Sequence, residues 1–250
     1  MRRELALLSA VVAGCSLPPL RGKAEPGRDP YAVFVADTPG GSDLFAILPS
    51  GGAPIQLTFS PVEESSPTLS PDGSTVLFMR RASGGQRSVW LLNLLSGSER
   101  ELRLPRAWKA EPERGAWSAD GRTIYVRTTA GVARFAAPPA AVAPALMTRR
   151  EAASADSSFL VLLGAPGFAA VTACGNGLCT LGADGVSTPL AAPAHGAARW
   201  GADSVGWFEG ERFTIRPLGG GHTRILEWSP APLNPRELTY HPGAPPSPSS

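Results

Sequence analysis

Short apolar runs broken by turn residues recur along most of this chain. The first set is Tyr31-Ala32-Val33-Phe34-Val35-Ala36-Asp37, a Thr-Pro-Gly-Gly-Ser break, Asp43-Leu44-Phe45-Ala46-Ile47-Leu48, a Gly51-Gly52 break, and Pro54-Ile55-Gln56-Leu57-Thr58-Phe59. Run length and the content of β-branched and aromatic residues predict strands, and the breaks predict reversals. A second set opens with Ser66-Pro67-Thr68-Leu69-Ser70-Pro71-Asp72-Gly73 and continues with strands expected over 75–79, 88–92 and 99–104. A third opens with Ala116-Trp117-Ser118-Ala119-Asp120-Gly121 and continues over 123–126.

Pro71-Asp72-Gly73 and Ala119-Asp120-Gly121 do the same physical job. The Asp side chain bonds its own backbone two residues on, and Gly takes the left-handed position, so the chain reverses between two strands. Gly73 and Gly121 lie 48 residues apart, close to the length of one four-stranded propeller blade. The second half of the chain is degenerate. Ser154-Ala155-Asp156-Ser157 and Gly201-Ala202-Asp203-Ser204 keep the Asp and lose the Gly. A competing register opens the fourth unit at Ala165-Pro166-Gly167, with later strands over 168–174, 178–181 and 186–190. This register is preferred, because it aligns Phe168-Ala169-Ala170-Val171 with Tyr31-Ala32-Val33-Phe34. The fifth unit runs from Arg199-Trp200 through Val205-Gly206-Trp207-Phe208, then 212–217 and 223–228. Near the end, Glu237-Leu238-Thr239-Tyr240-His241-Pro242 echoes Gln56-Leu57-Thr58-Phe59-Ser60-Pro61. Unit one lacks an opening strand, so residues 236–240 are expected beside it, closing the ring and leaving only short strand edges.

Leu57-Thr58-Phe59, Ser65-Ser66-Pro67 and the stretch from Leu69-Ser70-Pro71-Asp72-Gly73 through Val76-Leu77-Phe78 resemble the TolB-type, WD40-like repeat. That family writes a strand ending in Leu-Thr, a short loop, Ser-Pro-Asp-Gly and an apolar strand. Trp117-Ser118-Ala119-Asp120-Gly121-Arg122-Thr123-Ile124-Tyr125 matches again, with Ala119 in place of the proline. The resemblance covers residues 31–127 and speaks to fold more than function. The expected fold is all-β, a propeller of four-stranded antiparallel blades over 31–242. Five units are visible; a sixth, which the resemblance suggests, needs strands the sequence does not display. The residues from 243 to 250 read as a disordered Pro-Ser-rich tail.

The N-terminus adds a second theme. Arg2 and Arg3 precede an apolar run over residues 5–12, and Val12-Ala13-Gly14-Cys15 follows. This is the order of a secretory signal peptide, over residues 1–14, and the run is short for a bilayer span. Its ending resembles a bacterial lipobox, which implies cleavage before Cys15 and lipidation of Cys15. Several acyl chains, at about 0.8 kcal/mol per buried methylene, make a stable anchor. The alternatives are a plain signal peptide with an incidental cysteine, or a buried N-terminal helix. Residues 15–30 are polar and proline-rich, and predict a flexible tether. Ser16 is not Asp, which by the sorting rule of enteric bacteria points to the periplasmic face of the outer membrane, or to the cell surface.

Composition narrows the function classes. The chain has 250 residues, 23 Lys and Arg against 21 Asp and Glu, and no basic stripe, which argues against nucleic acid. With 28 Gly and 26 Pro, turns and short strands outweigh long helices. Beyond Cys15 the only cysteines are Cys174 and Cys179, in Cys174-Gly175-Asn176-Gly177-Leu178-Cys179. An Asn176-Gly177 hairpin loop would set Cys174 opposite Cys179, within reach of a disulfide, the preferred reading over free thiols. The spacing is not that of thioredoxin-like centres, and zinc would need two more ligands than the pair supplies.

Candidate chemistry is sparse. Only His195, His222 and His241 supply imidazoles, and neither a His-Glu-x-x-His nor a Gly-x-Ser-x-Gly motif occurs. The missing Gly-x-Ser-x-Gly and the short chain weigh against a prolyl-oligopeptidase type of peptidase. Gly219-Gly220-Gly221 lacks the Lys-Ser/Thr of a phosphate loop and reads as a turn. Glu63-Glu64 reads as a solvated acidic pair in a Ser-rich loop. Each Asp-Gly turn offers one carboxylate where calcium needs six to eight oxygens. Trp90, Trp117, Trp200, Trp207 and Trp228 read as packing between blades, with stacking on a ligand at the channel mouth as the sharper alternative. No catalytic residue, cofactor or metal is assigned. The leading expectation is a monomeric, non-enzymatic, lipid-anchored envelope scaffold that binds another envelope protein. The alternatives are a binding module for a small sugar or peptide in the channel, or a channel lyase or hydrolase using His195, His222, Asp156 and Asp203.

Overall fold

The computed structural model describes residues 18–138, 143–148, 151–152, 161–165, 168–200, 203–226 and 228–243. Cys15, Asp156 and the residues from 244 onward lie outside them. Five four-stranded units are present among the described residues. In chain order, β1 (Tyr31–Thr38), β2 (Gly41–Ile47) and β3 (Ile55–Gln56) belong to blade 1. Blade 2 holds β4 (Glu63–Leu69), β5 (Thr75–Arg81), β6 (Arg87–Asn93) and β7 (Glu99–Leu102). Blade 3 holds β8 (Pro112–Trp117), β9 (Thr123–Thr128), β10 (Gly131–Ala136) and β11 (Ala145–Leu146). Blade 4 holds β12 (Val161–Ala165), β13 (Phe168–Cys174), β14 (Gly177–Gly182) and β15 (Ser187–Ala191), and blade 5 holds β16 (His195–Trp200), β17 (Ser204–Glu209), β18 (Arg212–Pro217) and β19 (Arg224–Leu226).

Blade 1 is completed from the far end of the chain. β20 (Leu233–His241) pairs antiparallel with β1, matching Ala32 to Tyr240 and Val33 to Thr239. The expected partnership of residues 236–240 with the first unit is therefore present. The backbones of blades 1 and 2 pair at one parallel position, Ser42 with Glu63. The preferred register of the fourth unit also stands, since β12 and β13 flank residues 165–168.

The apolar run of β1 is continuous because both its faces are covered. Tyr31, Val33 and Val35 pack with Val76, Phe78 and Leu92 of blade 2. Ala32, Phe34 and Ala36 pack with Phe208, Phe213 and Ile215 of blade 5. A strand that alternates its side chains between two buried faces needs apolar residues at every position. The same logic joins Leu77 and Met79 to Trp117, Ile124 and Val126 of blade 3. Val171 and Leu178 of blade 4 meet Val205 and Trp207 of blade 5. All five tryptophans named from the sequence pack within or against blades. Trp117, Trp200 and Trp207 are buried, and Trp90 and Trp228 are partly buried against apolar clusters.

The tether and the cysteine hairpin need correction. Residues 18–30 do not trail as a tether. Leu20 is 0% exposed and belongs to the core between blades 1 and 2, and the segment turns back on itself through bonds such as Ala24 N–H to the Leu20 carbonyl. One leucine in the core is enough to dock a polar stretch, because burying it contributes roughly 2 kcal/mol. The second concerns the cysteine hairpin. Its loop is Gly175-Asn176, with Cys174 facing Gly177 and Cys179 facing Thr172. Gly177 lies in the strand, where only glycine fits, because a Cβ there would meet the Ala191 carbonyl oxygen at 2.2 Å. Gly175 takes the left-handed conformation instead, at φ 59°. Cys174 and Cys179 are still disulfide-bonded, across a diagonal with Cα atoms 5.8 Å apart.

Candidate interaction face

The opening strands of neighbouring blades run in one direction and are stitched together by side chains. Glu237 on β20 accepts from the Ser66 N–H on β4 at 2.5 Å, and Thr239 accepts from Leu69 N–H at 3.2 Å. Thr68 donates to the Gly115 carbonyl on β8, and the Trp117 indole donates to the Thr68 carbonyl. The ring therefore has two distinct ends. One carries the reversals at Asp72 and Asp120, and is called here the Asp72 face. The other carries the starts of β4, β8, β16 and β20, and is called the Phe59 face.

At Asp72 and Asp120 the predicted turn chemistry holds. Asp72 accepts from Ser74 N–H at 3.0 Å and Asp120 from Arg122 N–H at 3.0 Å. Gly73 and Gly121 each sit at φ 68°. Burial works against the charge of Asp72, but bonds from Ser70 and Ser74 outweigh it and lower its pKa. The His241 ring packs on Gly73, and the Tyr31 hydroxyl donates to the Gly73 carbonyl. Burial lowers the pKa of His241, and its Nε2 has no hydrogen-bond partner among the described residues. These residues lock a corner of the ring.

The Phe59 face has a different character. Phe59 is 79% exposed, yet Thr58 before it is 1% exposed. Thr58 Oγ1 donates to Glu64 at 2.5 Å and accepts from Leu44 N–H at 2.9 Å. Ser60 N–H donates to Asp43 at 2.9 Å. Phe59 is thus held outward by fastenings on both sides. Across the β1–β2 hairpin stands Leu233, 62% exposed, whose strand partner is Asp37. Asp37 receives Arg236 at 2.6 Å and Asn234 at 3.1 Å. Burial works against the Asp37 charge, but those bonds outweigh it and lower its pKa. Asp37, Asn234, Arg236 and His195 line an open cavity of about 410 Å³.

Beneath Phe59 lies a buried charge network. Glu63-Glu64 is not a solvated pair in a loop; it opens β4. Glu63 points to solvent, while Glu64 is buried between Thr58 and Arg80. Arg80 lies 2.7 Å from Glu64 and 2.6 Å from Glu99, and its guanidinium rests over the rings of Phe78 and Trp90. Burial pushes the Glu64 pKa up to about 7, against the opposing pull of Thr58 and Arg80. Burial also works against the Arg80 charge, but Glu99 and Glu64 outweigh it and raise its pKa. The signal for Glu64 was available in the repeat. A strand precedes each Asp-Gly turn, and alternation along it sends one of two adjacent carboxylates inward.

The histidines and Asp203 do not assemble into a single centre. His195 begins β16 on the Phe59 face, 2.7 Å from the Pro235 carbonyl. Asp203 and His222 are exposed in loops at the opposite end of blade 5, where Asp203 accepts from Ser204. Among the described residues no group of three or more His, Cys, Asp or Glu could hold a metal ion. No helix among them is long and apolar enough to cross a membrane.

Comparisons with known proteins bear on the fold. No family model matches the chain. The dipeptidyl-peptidases 5 of Trichophyton schoenleinii and Arthroderma benhamiae are each 34% identical over 65 residues, covering 25% of this chain and 9% of theirs. The chain thus spans less than a tenth of those relatives. Among solved structures, a chain of the nidogen/laminin complex aligns at TM-score 0.50 and 10% identity, over 86% of this chain and 100% of that one. TolB from Acinetobacter baumannii aligns at TM-score 0.44 and 11% identity, over 85% of this chain and 66% of its own. The periplasmic gluconolactonase of Pseudomonas aeruginosa aligns at TM-score 0.31 and 14% identity, over 88% and 70%. Likeness at such identity concerns fold alone, and the chain is a β-propeller.

Proposed function

We propose that this protein is a non-enzymatic cell-envelope lipoprotein, anchored through Cys15, whose propeller is a scaffold that binds another envelope protein. The observation that carries this reading is the presentation of Phe59. An aromatic residue 79% exposed, with a buried residue before it and a fastened one after it, has its backbone position set before any partner arrives. Exposed apolar side chains gathered on one rim mark interaction surfaces, and pre-ordering lowers the entropic cost of binding. Leu233 stands on the same rim, beside the Asp37–Arg236 pair. Buried aromatic anchors with a polar surround carry most of the energy in many interfaces.

The order of Val12-Ala13-Gly14-Cys15 after a basic and apolar start supports the anchor. The packing of the tryptophans between blades favours a scaffold over a channel lined with aromatic platforms for a sugar. The separation of His195 from Asp203 and His222 favours a scaffold over a channel enzyme.

Affinity capture from native membranes tests the proposal. The lipidated protein should retain a defined envelope protein that Phe59→Ala or Leu233→Ser releases and that Leu95→Ser, on the other face, does not. Equal capture by all three variants would remove the Phe59 face from consideration.

A further inference from the structure

We infer that the Asp72 face rests directly on the lipid surface, with residues 18–30 as the docking element and the Phe59 face turned away. This rests on the reading of Cys15 as the lipidated residue. The argument is one of chain length. Only Ser16 and Leu17 separate Cys15 from Pro18, where the described structure begins. Three Cα steps span at most about 11 Å. A free tether running to residue 30 would reach up to about 50 Å and leave the propeller unoriented. The docking of Leu20 in the core removes that slack.

The segment is seated on one end of the ring. Gly27 lies against the Asp72 carbonyl, so close that a Cβ there would fall 2.9 Å from it. Arg21, Lys23, Glu25 and Asp29 line an open groove of about 450 Å³ with Leu94 and Leu95, which follow β6 at the same end, and Asp29 accepts from the Glu25 N–H at 2.8 Å. Leu95 is 54% exposed. Arg21 and Lys23 are exposed and make no ion pair among the described residues, while Glu25 is occupied by Arg28 at 3.2 Å. Cations beside an exposed leucine suit the headgroup region, where the charge meets phosphate and the apolar carbon meets the acyl boundary. Lipid chains fixed within about 11 Å of this patch bring the two together.

Site-directed fluorescence on the full-length lipidated protein tests the orientation. Leu95→Cys and Phe59→Cys each supply one free thiol for a bimane label, since Cys174 and Cys179 are bonded and the sulfur of Cys15 would be alkylated. The labelled proteins are reconstituted in phosphatidylethanolamine and phosphatidylglycerol vesicles that carry a headgroup nitroxide quencher. The expected result is loss of bimane fluorescence at position 95 and retention at position 59. Equal quenching at both positions, or stronger quenching at 59, overturns the orientation. Vesicle flotation and the mass of the N-terminal peptide separate the two readings. Acylated protein that floats but is quenched alike at both positions refutes the orientation alone. An unmodified Cys15 refutes the anchor and this inference with it.

Discussion

The imidazole of His241 closes over the α-carbon of Gly73, so tightly that a Cβ there would lie 2.5 Å from the ring. The equivalent Gly121 has the same φ of 68°, but a Cβ on it would meet only Pro71, at an ordinary 3.5 Å. The two Asp-Gly turns are alike in backbone and unlike in surroundings.

Gly121→Ala should therefore carry only the left-handed penalty of about 1–2 kcal/mol. Gly73→Ala adds displacement of a buried ring, roughly a further 1–3 kcal/mol. Urea denaturation midpoints of the two variants should differ in that order. Equal midpoints would mean that His241 moves aside freely.

Glu64 and Arg80 make a second test. Arg80→Met removes the cation that holds down a carboxyl already at about 7, so Glu64 takes up a proton at neutral pH and the loss in urea melts is about 1–3 kcal/mol, that of unmet buried hydrogen bonds.

The Glu64 carboxyl also predicts a pH dependence of unusual sign. Its pKa is about 7 in the folded chain against an ordinary 4.5. Between those values the folded state holds more protons than the unfolded state, so this group's contribution falls as pH rises and levels off above about 7. Glu64→Gln removes that slope. Stability of the wild type relative to Glu64→Gln should decline across the window, by at most about 3 kcal/mol. A difference that rises with pH would mean that Arg80 and Thr58 outweigh burial.

The disulfide closes a short loop, so Cys174→Ser with Cys179→Ser should lower stability by only ~2 kcal/mol and leave the fold intact. Far-ultraviolet circular dichroism and urea melts read the two parts separately.

Much of this architecture was legible in the sequence, and the exceptions share a cause. The continuous apolar run of β1 and the echo of Leu57-Thr58 in Leu238-Thr239 are patterns of many residues, and both placed their strands correctly. Single residues were harder to read. Phe59 was expected to end a strand over 54–59, but β3 stops at Gln56. Thr58 and Ser60 bond to Glu64 and Asp43, and these long-range partners cannot be seen in a local run. Leu20 escaped in the same way, as one apolar residue amid charges and prolines. The cysteine pairing was right and its register wrong, because the Ala191 carbonyl that confines Gly177 arrives from another strand.

Deleting residues 233–250 should abolish cooperative unfolding. It removes the partner of β1 and the bonds from Glu237 and Thr239 to blade 2. Loss of the sigmoidal melt, with far-ultraviolet signal characteristic of unfolded chain, is the expected outcome.

The position of β20 bears on how the molecule is made. β20 follows every other described strand in chain order, so blade 1 has no innermost member until blades 2 to 5 have been synthesised. Until then β1 has one bare edge, and the bonds from Glu237 and Thr239 that tie blade 1 to blade 2 cannot form.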